Sequence, residues 1–217
     1  TEIYIEDEIS KDINIPEIVS EEIVSEAKRK VKLLMNNPSL KTSVDGFQIM
    51  QVVDKIISSI LSNRDIVATL SDIRSVDDYT FSHSVNVCIL SLIIGIGFGY
   101  SSNKLRELGV GSILHDIGKV MIPQEILKKP VQLTNEEFEE IKKHTIYGHE
   151  LIKRIRGITM MASYIILGHH ERIDGSGYPY HLKGEYIHKA ARIVAVADGY
   201  DALTTDRVYR KKLMPHE

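Results

Sequence analysis

The sequence predicts an all-α fold with a helical N-terminal arm, and three observations support this prediction. Apolar residues recur at helical spacing through most of the 217 residues. Residues that cap helices, such as Ser and Thr, stand where several of these stretches begin, and Gly, Pro or Asn stand where they end. A strand is indicated only by a weak alternation over residues 2–6, followed by a loop over residues 7–16.

Two amphipathic helices come first in the chain, over residues 18–36 and 44–63. Neither helix contains a histidine. We therefore interpret residues 1–64 as a lead-in arm without chemistry of its own, and residues 65–217 as the functional domain. The chain begins without Met and ends without a helix cap, so we expect it to be a truncated piece of a longer protein.

The first candidate ligand, His83, lies in the next part of the chain. A short helix is predicted over residues 68–75, and another begins at residues 77–80, which places His83 one turn inside it. The apolar stretch over residues 85–98 is too short for the ~20 residues that span a bilayer, so we interpret it as a buried helix.

A helix capped near Ser101 ends at His115 and Asp116, and Pro123 and Pro130 punctuate the loop that follows. An adjacent imidazole and carboxylate can ligate one borderline metal ion, and the second carboxylate oxygen can bridge to another ion.

Three further predicted helices bring more of these side chains. The capping-box spacing of Thr134 and Glu137 starts a long amphipathic helix through Ile155, with His144 on the edge of its buried stripe. His149 falls on the other side and is predicted to be solvated.

An apolar helix over residues 160–167 leads to His169 and His170, and residues 174–179 form a loop rich in Gly. The last helix, residues 190–205, carries Asp198 in an apolar run, where a buried carboxylate needs a partner.

Seven side chains are therefore candidate metal ligands. They are His83, His115, Asp116, His144, His169, His170 and Asp198. Asp201 lies three residues after Asp198 on the same helix face and is predicted to hold a ligand histidine in its tautomer. For any one histidine, a place in the core or in a cap stays an open alternative, but seven such residues favour a metal site.

The composition limits the classes of function. The chain is 43% hydrophobic and 26% charged, which suits a globular protein, and its net charge of −3 excludes a broad basic surface for polymeric nucleic acid. An anionic substrate would then be bound by local cations. The single cysteine, Cys88, cannot form an internal disulfide, which favours a cytoplasmic location.

Four motifs together resemble the HD-GYP domain, a bacterial branch of the HD metal-dependent phosphohydrolases. They are His-Asp-Ile-Gly-Lys at 115–119, His-His-Glu at 169–171, Asp-Gly-Ser-Gly-Tyr-Pro at 174–179 and Asp-Gly-Tyr-Asp-Ala-Leu at 198–203. The similarity covers about residues 65–215. It implies an HD-type helical bundle that hydrolyses cyclic di-GMP to pGpG, with either pGpG or GMP as the final product and a hydroxide bridging two metal ions as nucleophile.

The resemblance also implies roles for individual residues. One ion, iron or manganese, would be held by His83, His115, Asp116 and Asp198, and a second by His144, His169 and His170, with Asp116 bridging. Substrate would be bound by Lys119, Arg207 and Arg210, and by the loop residues Gly177, Tyr178 and Pro179. From its position beside the double histidine, Glu171 is predicted either to support the ligands, as Asp201 does, or to be solvated.

A third ion in this family needs a glutamate where this chain has Tyr79, so we expect two ions. From spacing alone, Lys119 can equally be a residue that ends a helix, and Arg207 and Arg210 can be solvated.

Two alternatives remain at this stage. The domain can be a signalling module that binds cyclic di-GMP, or a GGDEF-type partner through the Tyr178 loop, with little turnover. It can also perform another metal chemistry, either hydrolysis of a different phosphorylated nucleotide or diiron oxygenation. We further expect a homodimer formed through the arm.

Overall fold

The computed structural model describes residues 18–36, 44–62 and 79–204. Within these ranges the chain forms nine α-helices and two short strands. The helices are α1 (Glu21–Met35), α2 (Phe47–Ser62), α3 (Tyr79–Gly97), α4 (Ser102–Ile113), α5 (Gln124–Leu127), α6 (Asn135–Lys142), α7 (His144–Ile152), α8 (Met160–Gly168) and α9 (Lys189–Thr204). Short 3-10 helices cover Ile117–Met121 and Gly184–Tyr186, and the strands are β1 (Val44–Asp45) and β2 (Ile155–Arg156). The all-α prediction is confirmed.

The two helices of the arm form because each has one apolar face to bury. The Ser20 hydroxyl caps α1 by accepting from the Ile23 amide at 3.5 Å, and Ala27, Val31 and Leu34 are buried. In α2 the buried face includes Val53 and Ile56.

The prediction that Val44 belongs to the second helix is wrong. Val44 instead lies in β1, which pairs in parallel with β2 at Ile155. The predicted helix through Ile155 is also too long, because Ile155 lies in β2 and pairs with Val44.

The arm and the later helices share one hydrophobic cluster. It contains Val53 and Ile56 of α2, Val85 of α3 and Ile113 of α4, all of which are buried. Contacts join α1 to α3 and α2 to α4. The division of the chain at residue 64 therefore stays a prediction, and the predicted strand over 2–6 and helix over 68–75 lie outside the described residues.

The apolar α3 is buried through most of its length, and it packs on α4 and α9. Cys88 lies fully inside it, and its thiol contacts the Gly109 carbonyl at 3.5 Å. In the described ranges, none of the helices combines the length and the apolar character needed to cross a membrane.

The long helix predicted after Thr134 is divided in two. The capping box is present, since Glu137 donates its amide to the Thr134 hydroxyl and accepts from the Thr134 amide. The helix then breaks at Lys143, between α6 and α7. Close packing sets the position of α7, because a Cβ on Gly118 would overlap the carbonyl oxygen of His144. The predicted loop between Pro123 and Pro130 also contains the four-residue helix α5.

Candidate metal centre

All seven predicted ligand side chains meet at one place in the bundle. His83 comes from α3 and Asp198 from α9, while His144 opens α7. The two adjacent pairs, 115–116 and 169–170, follow directly after the ends of α4 and α8. Five separate helical stretches thus converge on a single buried cluster, as the sequence predicts.

The ligand atoms form two groups that are each close enough for one ion. The first group is His83, His115 and Asp198, and the second is Asp116, His144, His169 and His170. Within each group the ligand atoms lie within 4.8 Å of one another. The members of the two groups match the two ligand sets implied by the family resemblance, apart from Asp116, which that resemblance gives to both.

Asp116 lies between the two groups, with one oxygen towards each. Its Oδ2 is 3.3 Å from Nε2 of His115 and 3.9 Å from Nε2 of His83. Its Oδ1 is 3.4 Å from Nε2 of His144 and 4.0 Å from Nε2 of His169. A carboxylate in this position is suited to bridge two cations.

Hydrogen bonds on the far side of each ring orient the histidines. Nδ1 of His115, His144 and His169 lies 2.7–2.9 Å from the carbonyl oxygen three residues earlier in the chain. A proton on each Nδ1 leaves the lone pair of Nε2 facing the cluster, which is the tautomer that binds metal.

The side chain of Asp201 orients His83. Its Nδ1 lies 2.7 Å from Asp201 Oδ2, and Asn86 donates to Asp201 Oδ1 at 2.9 Å. The structure therefore places Asp201 where the sequence predicts, behind a candidate ligand. Asn86 was not predicted, although it lies on the face of His83, three residues along α3.

Burial and charge shift the pKa values of these groups in opposite directions. Burial lowers the pKa of His169 well below its ordinary value and that of His170 to about 4, so both rings are neutral at pH 7. Burial would also lower the pKa of His83, but hydrogen bonds to Asp198 and Asp201 raise it to about 9.

The carboxylates are ionised despite their burial. Burial opposes the charge of Asp116, yet the nearby Lys119 ammonium and His115 hold the pKa of this carboxyl well below its ordinary value. Burial likewise opposes the charge of Asp198, but the hydrogen bond from His83 lowers the pKa of this carboxyl to about 2. The second group thus combines an anion with neutral imidazoles.

The side chains of this cluster suit a metal ion. Among the described residues, Nε2 of His115 and Oδ1 of Asp116 are buried and have no hydrogen-bond partner. Unsatisfied buried polar atoms are costly, and here both face the cluster of donors. Imidazole nitrogen and carboxylate oxygen are ligands that suit iron, manganese and zinc.

Lys119 lies at the rim of the cluster. It follows Asp116 by three residues in a 3-10 turn, and its Nζ is 2.5 Å from Asp116 Oδ2. The side chain is 32% exposed, so the ammonium can also face solvent or a ligand. Arg207 and Arg210, which were predicted to bind phosphate, lie outside the described residues, as does the side chain of Tyr79.

The Gly-Tyr-Pro loop folds back against the double histidine. The Tyr178 amide donates to the His170 carbonyl at 3.1 Å, and the two rings lie 4.7 Å apart. Gly177 is required here, since a Cβ would overlap the backbone of residues 170–172. The Tyr178–Pro179 peptide bond is cis, and burial raises the pKa of the Tyr178 hydroxyl.

Glu171 holds this loop closed. Its carboxylate is buried and accepts from the amides of Tyr180 at 2.7 Å and Leu182 at 2.9 Å. The structure places it on the loop backbone, one residue after the double histidine, while its predicted supporting role for the ligands stays a prediction.

Two other histidines, His149 and His188, make contacts outside the candidate metal centre. The prediction that His149 is solvated is wrong, because it is half-buried and its Nδ1 lies 2.7 Å from the Ser163 hydroxyl on α8. His188 has a structural place, since it stacks on Tyr164 at 5.4 Å and accepts from the Ala190 amide at the start of α9.

A comparison with family models identifies residues 73–217 as an HD domain. The chain belongs to the HD domain family. This match covers the whole candidate metal centre, and it confirms the predicted family.

Similar proteins agree with this assignment. The chain is 36% identical over 189 residues, 87% of its length, to a cyclic di-GMP phosphodiesterase of Pseudomonas aeruginosa. It is 34% identical over 161 residues, 74% of its length, to a 3'3'-cGAMP-specific phosphodiesterase of Vibrio cholerae. The matches cover 46% and 37% of those proteins, so the chain spans less than half the length of both relatives.

A solved structure shares the fold. An HDG"Y"P protein from Bdellovibrio bacteriovorus matches 88% of this chain and 63% of its own length, with a TM-score of 0.69 and 22% sequence identity. At this identity the likeness concerns the helical HD fold, which the prediction from sequence also named.

Proposed function

We propose that this chain is a metal-dependent phosphodiesterase that hydrolyses cyclic di-GMP. The observation that carries the proposal is the position of Asp116, with one oxygen towards each of two groups of candidate ligands. We infer the substrate from the name of the Pseudomonas aeruginosa relative, because the alignment with that relative covers most of this chain. Hydrolysis would give pGpG, and a second cleavage would give GMP.

The ligands support two ions, which we propose to be iron or manganese. Bound there, the ions would act as Lewis acids on the phosphoryl oxygens and lower the pKa of water. His83, His115 and Asp198 would hold one, and His144, His169 and His170 the other, with Asp116 shared. The buried walls of the site exclude bulk water around these groups, which strengthens each charge interaction.

The protein itself would supply charge and position. Water oxygen adds to phosphorus, the bond from phosphorus to the ribose oxygen breaks, and that oxygen leaves with a proton. Lys119 would stabilise negative charge on the phosphoryl group, since its ammonium already contacts the Asp116 carboxylate at the rim. Arg207 and Arg210 would bind the second phosphate, and Gly177, Tyr178 and Pro179 would position the substrate.

A second substrate is favoured by a specific observation. The Vibrio cholerae relative is named as specific for 3'3'-cGAMP. That molecule has the same cyclic phosphodiester ring as cyclic di-GMP and differs in one purine. The candidate metal ligands would meet the same phosphodiester in both molecules, so residues that contact the bases would determine which one is hydrolysed.

The test is to incubate the metal-loaded chain with cyclic di-GMP and, separately, with 3'3'-cGAMP, and to follow products by chromatography. We expect pGpG from cyclic di-GMP. Asp116→Ala should lose bound metal and reduce turnover to background, with unchanged helical circular dichroism. The matched control is Asp174→Ala, which removes an exposed carboxylate from the nearby loop.

Binding of cyclic di-GMP without any product would overturn the enzymatic proposal and favour the signalling module. Turnover of only 3'3'-cGAMP would move the proposal to that substrate. Retained turnover in the Asp116→Ala variant would contradict the metal-dependent mechanism.

We also propose that the chain forms a homodimer through its arm and contacts GGDEF-type domains through the Tyr178 loop. Leu33 and Leu61 of the arm are 60% and 55% exposed, which supports a contact there. A monomeric mass in light scattering would contradict the dimer.

A cytoplasmic location is proposed because Cys88 is a free, buried thiol.

A further inference from the structure

Beside Tyr178, one side of the metal centre carries an aromatic and a cationic side chain, Phe138 and Lys142, that the proposed mechanism does not use. The Tyr178 ring lies against His170 of the second ligand group, 4.7 Å between centroids. The ammonium of Lys142 lies over Tyr178, 5.6 Å from the ring centroid. The same ammonium is 5.0 Å from the centroid of Phe138. The cation thus stands between two aromatic rings, and one of these rings contacts a candidate metal ligand.

Phe138 is open to solvent although it is a large apolar side chain. It is 46% exposed, on the first turn of α6. The capping box of Thr134 and Glu137 fixes this turn, and Glu139 holds the Lys142 ammonium at 2.5 Å. The backbone beneath the ring and the cation beside it are therefore both held in place, while the ring itself remains accessible.

We propose that Phe138 and Lys142 form a subsite for a purine base of the cyclic dinucleotide. This proposal rests on the proposed function and deepens it. Purine bases stack on aromatic side chains, and a neighbouring cation adds to the attraction for a π-system. The substrate carries two purines beside its phosphates, so a phosphate at the metal centre brings a base towards the adjacent surface. Lys142 also offers a donor for the acceptor atoms of guanine.

The chain offers a matched control for this surface. Phe98 is 58% exposed and also has a lysine over its ring, with the Lys189 ammonium 4.2 Å from the centroid. It lies beyond the other end of α3, about 22 Å along the helix from His83 at 1.5 Å per residue. A general effect of removing an exposed aromatic ring would appear at both positions, whereas a base subsite would appear only at Phe138.

The kinetic test compares the Phe138→Ala and Phe98→Ala variants with the wild-type chain on cyclic di-GMP. We expect the KM of Phe138→Ala to rise by about tenfold, the order of one lost base stack, with kcat and metal content unchanged. Phe98→Ala should match the wild type. Equal KM values for all three would overturn the subsite, and so would an equal rise in both variants.

The spectroscopic test uses the absence of tryptophan from the chain. Phe138→Trp introduces a single tryptophan, whose fluorescence should be quenched when a phosphorothioate analogue of cyclic di-GMP stacks on it. Phe98→Trp should not respond. No quenching at position 138, while the wild type hydrolyses cyclic di-GMP, would overturn the subsite and leave the proposed function intact. Failure of the wild type to hydrolyse either dinucleotide would overturn both.

Discussion

Three of the candidate ligands are oriented by the same local hydrogen bond at a helix end. His115, His144 and His169 each follow or begin a helix at a break, and each Nδ1 pairs with the carbonyl oxygen three residues earlier. Carbonyl groups at a helix end have no partner inside the helix, so they are available to a side chain. The break at Lys143, which the sequence did not predict, ends α6 at Lys142 and so places the Ile141 carbonyl where it can accept from the His144 ring.

His83 is oriented by the Asp201 carboxylate, and this contact predicts how metal binding depends on pH. Its pKa is about 9 in the folded, metal-free protein, so it carries a proton at pH 7 that an ion must displace. Affinity for Mn²⁺ should rise with pH from 6.5 towards 9 and level off above that value. Calorimetry in buffers of different ionisation enthalpy would measure the released proton.

The same measurement should respond to a change in Asp201. Asp201→Ala removes the carboxylate behind His83, and loss of such a partner typically costs about 10–100-fold in metal affinity. The pKa of His83 should then fall, and the pH dependence should weaken. An affinity independent of pH between 6.5 and 9 in the wild type would contradict this account of His83.

At the scale of elements, two residues just after α8, His170 and Glu171, hold the later part of the loop over residues 171–182. Tyr178 bonds to the His170 carbonyl, and the Glu171 carboxylate accepts from Tyr180 and Leu182. The loop thus returns to the residues that precede it. Because the Tyr178 ring also lies against the His170 ring, any opening of the loop would remove a ring from the wall of the metal centre.

Glu171→Gln should loosen this loop without removing metal. The amide group of Gln offers one acceptor where two backbone amides need partners, and a buried donor left without a partner costs about 1–3 kcal/mol. We expect a higher KM for cyclic di-GMP, unchanged metal content, and faster trypsin cleavage at Arg172 and Lys183.

Asp174→Asn is the control for this change, since the Asp174 carboxylate accepts from Ser176 inside the exposed part of the loop. Its trypsin cleavage should stay at the wild-type rate. Equal cleavage of the Glu171→Gln variant and the wild type would show that the carboxylate does not hold the loop.

For the molecule as a whole, the shared hydrophobic cluster predicts that the arm and the later helices unfold together. Ile56 of α2 is fully buried in that cluster. Ile56→Ala should lower the free energy of unfolding by about 2–5 kcal/mol through lost transfer energy and the cavity left behind.

Urea unfolding followed by circular dichroism measures this change. A single shifted transition is expected, with a reduced midpoint and an unchanged slope. Two separate transitions, with only the first one shifted, would show that the arm is an independent unit.

The sequence predicts most of this structure because its strongest signals are local. Helical periodicity places α1, α2 and α3, and the spacing of Thr134 and Glu137 places the start of α6. The seven candidate ligands are identifiable because His and Asp are unusual next to apolar runs. The break at Lys143, the strand pair at Val44 and the burial of His149 depend on contacts between distant segments, which a local pattern does not contain.

The backbone partners of the histidines have a consequence for coordination. Each Nε2 is aimed by a main-chain carbonyl that belongs to a fixed helix end, so its orientation does not wait for an ion to arrive. These three donors are preorganised, so little conformational entropy of their side chains is lost when a cation binds. Selectivity among cations is then governed by how well their preferred coordination geometry suits a cage that is already rigid.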